Sequence, residues 1–192
     1  MSKTLREMSK MEPGDFKKAM RHCAGAVALV TVGREDGRRT GLTVTAVCSL
    51  SDDPPSLLVC VNRNASGHPR IREERCFGVS FLSEEHMPLA LTFSGQNGID
   101  GDDRFGFGHW TTRVTGTPVL EDAIVSFDCD LRQEFETKTH SVFIGNVRDV
   151  SIRCQARPLV YLRGAFHGVQ AMRDVFSLGD IRARKMSWSG FS

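Results

Sequence analysis

Hydrophobic and polar residues alternate along residues 41–51 with the two-residue period of a β-strand. One side of this stretch carries Leu42, Val44, Ala46, Cys48 and Leu50, and the other carries Thr43, Thr45, Val47, Ser49 and Ser51. The alternation breaks at Asp52-Asp53-Pro54-Pro55, a turn signal, and residues 56–61 then form an apolar run typical of a strand buried on both faces. The pattern predicts two consecutive strands, with a hydroxyl-bearing side near their junction.

The hydroxyl-bearing side has two interpretations. Thr and Ser with small neighbours let a flat heterocycle approach the backbone, where amide N–H groups and hydroxyls can meet its carbonyl and ring nitrogen atoms. Threonine is also a good strand former, so an ordinary solvent-facing strand produces the same pattern. The alternation alone leaves both interpretations open and favours the ordinary surface.

The same period predicts further strands over residues 26–32, 76–82, 109–114, 123–132, 140–150, 158–162 and 165–169. Helical spacing predicts three short helices: one capped by Asp15, one over residues 70–75 and one capped by Ser83. Pro88 leaves open where the third helix begins, because proline would remove one of its internal hydrogen bonds. Asp36-Gly37 marks a hairpin before residues 41–51. Many short strands with hairpin signals favour a mainly β fold, a split antiparallel barrel with a few peripheral helices, over a doubly wound sheet.

Composition adds limits to this picture. The 192 residues suffice for one domain at 13–169, with a loose arm at 1–12 and a tail at 170–192. The net charge of +2 is too small to indicate a nucleic-acid partner. Six cysteines without a C-x-x-C pair argue against a metal site or a disulfide framework. The longest apolar run, residues 24–32, is far too short to span a membrane, and we predict a cytoplasmic protein.

Two loops carry candidate chemistry. Residues 63–69 offer Asn and Ser side chains beside backbone amides, a combination suited to holding an anion. Residues 95–108 are glycine-rich and contain Arg104, which is either a solvated loop charge or a phosphate clamp. His140 opens an apolar strand, where a polar strand end and a ligand contact are equally good interpretations. Neither a catalytic triad nor a carboxylate pair is recognisable.

Five blocks in the order TVTAVCSLSDDPPSLLVCVNRNASGH, CFGVSFL, DRF, HSVFIG and PLVY resemble the flavin reductase family, the small NAD(P)H-dependent enzymes of two-component monooxygenase systems. The resemblance covers roughly residues 13–169. It implies a split barrel of the FMN-binding type that binds FMN or FAD, usually as a homodimer with the flavin near the subunit interface. It also implies NADH or NADPH as co-substrate and a separate oxygenase as recipient of the reduced flavin.

The resemblance implies cofactor-binding positions. Those lining the flavin ring and ribityl chain would be Thr43, Val44, Thr45, Ala46, Val47, Cys48 and Ser49. Asn62 and Ser66 would lie near the ribityl chain and the phosphate. Arg104 with Phe105 would close over the flavin.

The resemblance also places His140 beside the nicotinamide and Tyr161 on a strand close to the site. For Tyr161, core packing is the alternative. Two departures from the family pattern stand out. Ser80 replaces an asparagine that the family often has near the flavin, and Lys138-Thr139 precedes His140 where the family often has Gly-Asp.

Hydride transfer between a nicotinamide and a flavin needs no protein nucleophile, only alignment of the two reacting atoms at roughly 3–3.5 Å. Backbone N–H groups of residues 45–49 could stabilise charge that develops on the reduced ring. Two alternatives stay open: a flavin-retaining reductase of a cobalt corrinoid, and a non-catalytic flavin or haem module with His140 or Cys48 as axial ligand. The sequence does not decide between FMN and FAD or between NADH and NADPH. It also does not identify the final acceptor or the role of the tail with Trp188.

Overall fold

The computed structural model of the chain describes residues 11–34, 39–153 and 156–170. Its α-helices are α1 (Pro13–Met20), α2 (Gly67–Glu74) and α3 (Met87–Phe93), with 3₁₀ turns at Glu84–His86 and Gly101–Gly106. Its strands are β1 (Gly25–Ala26), β2 (Ala28–Val32), β3 (Thr40–Val44), β4 (Val47–Asp52), β5 (Pro55–Asn62), β6 (Cys76–Phe81), β7 (Trp110–Thr112), β8 (Pro118–Leu120), β9 (Val125–Glu136), β10 (His140–Ile152), β11 (Leu159–Leu162) and β12 (Ala165–Gly168).

The main sheet has seven strands in the order β3-β2-β6-β9-β10-β5-β4, and all its pairs are antiparallel. Strands β3 and β4 follow one another in the chain yet occupy opposite edges of the sheet, with only Thr45 and Ala46 between them. A two-residue link can join opposite edges only if the sheet curls until they meet. The mainly β, antiparallel split barrel is therefore confirmed.

The link at Thr45 and Ala46, called the crossing below, corrects the prediction of one strand over residues 41–51. Strand β3 pairs with β2, whereas β4 pairs with β5. Cys60 N–H donates to Ala46 O at 3.0 Å, which ties the crossing to β5. The two-residue alternation continues across the crossing without a glycine or proline, so the sequence pattern does not reveal the change of partner.

Two apolar cores hold the barrel together. The first fills its interior and includes Val30, Val59, Phe77 and Phe143, each fully buried. Gly145 on β10 permits this packing, because a Cβ there would lie 2.6 Å from the ring of Phe77. The second core lies under α3 and the glycine-rich loop and joins Leu29, Phe93, Phe105 and Leu120 with their neighbours.

Other predicted elements are confirmed with shifted ends. The Ser83 helix is divided: a 3₁₀ turn closed by a Ser83–His86 capping box comes first, and α3 follows with Pro88 in its first turn, where no N–H bond is lost. Helix α1 begins at Pro13 and is not capped by the Asp15 side chain. Helix α2 begins at Gly67, earlier than predicted.

Strand β9 buries a charged residue. Asp128 alternates with the apolar residues of this strand, yet it is fully buried and accepts hydrogen bonds from the backbone N–H (2.7 Å) and the hydroxyl of Thr115. The β7–β8 hairpin, whose second strand was not predicted, lies over this face. Among the described residues no helix is long and apolar enough to cross a membrane. Most of the predicted arm and tail, Trp188 included, fall outside the described residues.

Candidate functional site

The crossing presents small side chains at the surface of the barrel. Thr45, Ala46, Cys48 and Ser49 are exposed, while Val47 is half-buried. Strand β1 passes close beside it, since a Cβ on Gly25 would lie 2.8 Å from the Cβ of Thr45. A flat ligand can therefore approach the backbone here without meeting a large side chain.

A continuous row of hydroxyls, as predicted for residues 43–51, does not form. Thr43 donates its hydroxyl hydrogen to Ala90 O on α3 at 2.6 Å, which commits it to packing of that helix. Ser51 bonds locally to the backbone of Asp53. Val44 is buried in the barrel core. The crossing rotates the chain between two partner strands, so the side chains before and after it do not share a face.

An apolar pocket of about 650 Å³ opens next to the crossing. Val47, Cys48 and Ser49 line it, together with Phe81, Phe127 and Leu159 among others. Its size and mostly apolar lining with a few hydroxyls are typical of sites for small organic cofactors. Three of the predicted flavin-lining residues therefore share one cavity.

A polar loop, residues 62–66, lies at the other end of β5. Asn62 Oδ1 accepts the N–H of Asn64 at 2.9 Å, and the hydroxyls of Ser66 and Thr40 are 2.9 Å apart. Val59 pairs with Val47, so Asn62 lies three residues, or about 10 Å, further along the strand. A five-carbon ribityl chain with its terminal phosphate can span this interval.

His140 lies beside this loop. It pairs with Asn62 across β10 and β5, and Arg63 N–H donates to Thr139 O at 2.9 Å. The imidazole is exposed, and its Nδ1 lies 2.9 Å from Thr139 Oγ1. The structure thus brings His140 and Asn62 together and places Ser66 a few residues further along the same loop.

A buried polar network lies behind the polar loop. His68 Nε2 is 2.8 Å from Ser141 Oγ, and its ring contacts Phe143 with centroids 5.2 Å apart. Burial, aided by the charge of Arg72, lowers the pKa of His68, so the imidazole is neutral at neutral pH. Hydrogen bonds from Arg72 and Ser141 lower the pKa of Glu134.

Arg104 and Phe105 do not close over the site. Arg104 is 8% exposed and donates to Ile99 O (2.8 Å), Gly41 O (2.9 Å) and Asp100 Oδ1 (2.9 Å). Phe105 is 5% exposed and packs in the second core. Both residues anchor the glycine-rich loop on β3, and the hydrogen bonds of Arg104 and the burial of Phe105 leave little surface for a phosphate or a flavin.

Arg39 completes this anchor. Its guanidinium forms two hydrogen bonds with Asp102, at 2.7 and 3.1 Å, and lies 4.8 Å from the ring centroid of Phe105. The hydrogen bond from Arg39 lowers the pKa of Asp102. The loop is therefore held by two arginines, Arg39 just before β3 and Arg104 within the loop itself.

Tyr161 is half-buried, and its ring lies 5.3 Å from that of Phe166. It pairs with Gly25, which contacts Thr45, so it lies one strand away from the crossing. Ser80, expected near the flavin, is instead fully buried and accepts the N–H of Leu120 at 3.0 Å.

Sequence reasoning missed three residues around the polar loop: Thr40, His68 and Ser141. Thr40 lies just before the alternating stretch that starts at residue 41, and His68 lies in a segment whose composition predicts a loop. Ser141 is on the inner side of β10 together with Phe143, a periodicity that the sequence does display. An inward-facing serine in such a strand requires a buried polar partner, so the sequence pattern of β10 could have indicated a buried polar contact at Ser141.

The residues present fit a flavin. The apolar pocket suits the ring, the small exposed residues allow close approach to the backbone, and the polar loop supplies hydroxyls and amides for a phosphate. Within residues 11–34, 39–153 and 156–170 no group of three metal-ligating side chains comes together.

Comparison with known proteins agrees with this geometry. The flavin reductase like domain family matches residues 20–170. The FMN reductase (NADH) RutF of Agrobacterium fabrum is 40% identical over 147 residues, covering 77% of this chain and 83% of the relative. The 4-hydroxyphenylacetate 3-monooxygenase reductase component of Pseudomonas aeruginosa is 34% identical over 168 residues, covering 86% and 98%.

The solved structures that match include BorF, the flavin reductase component of a bacterial two-component tryptophan halogenase. It is 28% identical to this chain and superimposes with a TM-score of 0.76, covering 84% of this chain and 100% of BorF. The fold of this chain thus has a counterpart in a solved structure.

Proposed function

Because the chain belongs to the flavin reductase family, we propose that it transfers a hydride from reduced nicotinamide to FMN or FAD and supplies the reduced flavin to a separate oxygenase. The Agrobacterium relative is named for FMN and NADH, which makes these two the first substrates to test. The Pseudomonas relative is named as the reductase component of a monooxygenase, and BorF as the flavin reductase component of a two-component halogenase. A partner oxygenase is inferred from them.

One observation carries the proposal: the crossing and its apolar pocket lie about 10 Å along β5 from the polar loop. The flavin, when bound, supplies the hydride-accepting ring. The chain has three tasks: to hold the ring against Thr45–Ser49, to hold the phosphate at Asn62 and Ser66, and to orient the nicotinamide. We assign the last task to the exposed His140. Tyr161, which pairs with Gly25 one strand from the crossing, is proposed to lie close to the bound flavin.

The first prediction concerns turnover. The purified protein with free FMN is expected to oxidise NADH continuously, measured as loss of nicotinamide absorbance under anaerobic conditions with excess flavin. Parallel reactions with FAD, NADPH and a cob(II)alamin acceptor establish the preferred pair and test the corrinoid alternative. Failure of every flavin to support NADH or NADPH oxidation at saturating concentrations would contradict the proposal.

We also infer a homodimer, because the outer face of the barrel is apolar. Leu58 pairs with Ile144 and Cys60 with Val142, while the residues between them, such as Val59 and Phe143, fill the core. All four outward residues are half-buried, and Phe135, opposite Val142 on β9, is 50% exposed. A contiguous apolar sheet face of this kind is typical of subunit interfaces.

The second prediction tests this interface. Phe135→Glu is expected to shift the protein from dimer to monomer, because it buries a charge in an apolar contact. Sedimentation velocity provides the measurement. Val114→Glu, at a position 62% exposed on the β7–β8 hairpin, serves as the control and should leave the dimer intact. A Phe135→Glu variant that sediments like the wild type would place the interface elsewhere.

We infer a cytoplasmic location as well. The described cysteines Cys23, Cys48, Cys60, Cys76 and Cys129 are free thiols, which suits a reducing compartment. Cell fractionation with an antibody to the protein tests this inference; recovery with the periplasmic markers would contradict it.

A further inference from the structure

His68 occupies an unusual position for an ionisable side chain. It lies in the first turn of α2, two residues after Ser66, and is 5% exposed. Its Nε2 is 2.8 Å from Ser141 Oγ, and Nε2 is also 3.6 Å from Glu134 Oε1. A buried polar group is costly without a hydrogen bond, so this partner holds the imidazole in place.

Glu134 on β9 lies close to this pair. It accepts two hydrogen bonds from Arg72 on α2, at 2.7 and 2.8 Å. Side chains of α2, β10 and β9 therefore meet around His68.

The His68–Ser141 hydrogen bond adds a side-chain link to an existing backbone contact. Asn62 pairs with His140, so the start of the polar loop is already tied to β10. Helix α2 follows the loop and packs mainly on β2, β3 and β6. The bond from His68 to Ser141, the neighbour of His140, ties α2 to β10 as well.

We propose that His68 is a positioning residue for flavin reduction, which sets Ser66 relative to His140 through its hydrogen bond to Ser141. The inference rests on the proposed function, because the roles of Ser66 at the flavin phosphate and His140 at the nicotinamide come from it. His68 itself touches neither ligand. Its loss should weaken both ligands together, whereas loss of Ser66 alone should weaken flavin only.

The test compares His68→Leu with His68→Gln. The leucine variant is expected to raise the Kd for FMN, measured by flavin fluorescence, and the KM for NADH each about tenfold, with kcat changed less than about twofold. Glutamine carries an amide N–H close to the position of Nε2, so it should restore both values to within about threefold of wild type. Ser141→Ala should match His68→Leu, and the double variant should add nothing further.

Ser126→Ala is the matched control. Ser126 is a buried serine that bonds to Ser80 and to Leu120 O, away from α2, so its loss should reduce stability without changing either ligand constant. A His68→Leu variant that keeps wild-type values for both constants, or a folded glutamine variant that restores neither, would refute the inference. The FMN Kd is measured without turnover. If the wild type binds FMN but never oxidises NADH, the proposed function fails while this comparison still decides the role of His68.

Discussion

Ala46→Trp is expected to abolish flavin reduction while the protein stays folded. Ala46 is exposed at the crossing, and only its backbone carbonyl is engaged, by Cys60 N–H. An indole there would occupy the surface on which we place the flavin ring. We expect kcat/KM for FMN to fall at least about a hundredfold, equivalent to ~2.7 kcal/mol. Steady-state kinetics and FMN fluorescence titration measure the change.

The control for this variant is Thr112→Trp, at an exposed position on β7. Both variants should unfold in urea within about 0.5 kcal/mol of the wild type, as surface substitutions do. Thr112→Trp should retain wild-type kinetics. If Ala46→Trp turned over FMN at the wild-type rate, the ring could not lie on the crossing, and the assignment of Thr45–Ser49 would have to be abandoned.

Arg104→Ala is expected to cause the largest loss of stability. The substitution removes three hydrogen bonds from a guanidinium that is 8% exposed, and it leaves the carbonyls of Gly41 and Ile99 without this donor. The carboxylate of Asp100 is 87% exposed, so its ion pair adds little. The two remaining charged hydrogen bonds, one to the buried Gly41 carbonyl and one to the half-buried Ile99 carbonyl, correspond to about 3 kcal/mol of unfolding free energy, measured by urea denaturation.

Arg104→Lys tests whether the stability contributed by Arg104 comes from its positive charge or from the planar shape of its guanidinium. An ammonium cannot reproduce the planar fork that reaches Gly41 and Ile99 together, so lysine should recover less than about half of the loss. If Arg104 instead bound a phosphate, as the sequence alone allowed, both variants would raise the Kd for FMN and leave stability unchanged. That combination of results would overturn the anchoring role.

The sequence predicts the fold class, but it does not predict the crossing at Thr45 and Ala46. The Asp52–Pro55 turn and the alternation around Phe127 predicted the β4–β5 hairpin and β9 because local chemistry determines such features. The crossing could not be predicted from the sequence, because Thr45 and Ala46 continue the alternation while the chain changes its partner strand. Periodicity reports which residues share a face along one strand, not which strand lies beside it.

The burial of Arg104 and His68 was equally hidden. Both stand among polar or glycine residues typical of exposed loops, and both owe their burial to carbonyl and hydroxyl partners distant in sequence. By contrast, Asn62, Ser66 and His140 were found through resemblance to a family, and the structure places them at one end of the barrel. Their contacts with ligands stay a prediction.

The two-residue crossing also has a consequence for how the protein acquires its activity. Its surface exists only when β3 and β4 are both paired at opposite margins of a seven-strand sheet, that is, when the barrel is closed. A partly folded chain therefore offers no place for the cofactor, and flavin stabilises the native state alone, by an amount that grows with the logarithm of its concentration. Cellular flavin supply would then govern not only the rate of this reductase but also how long each molecule survives proteolysis.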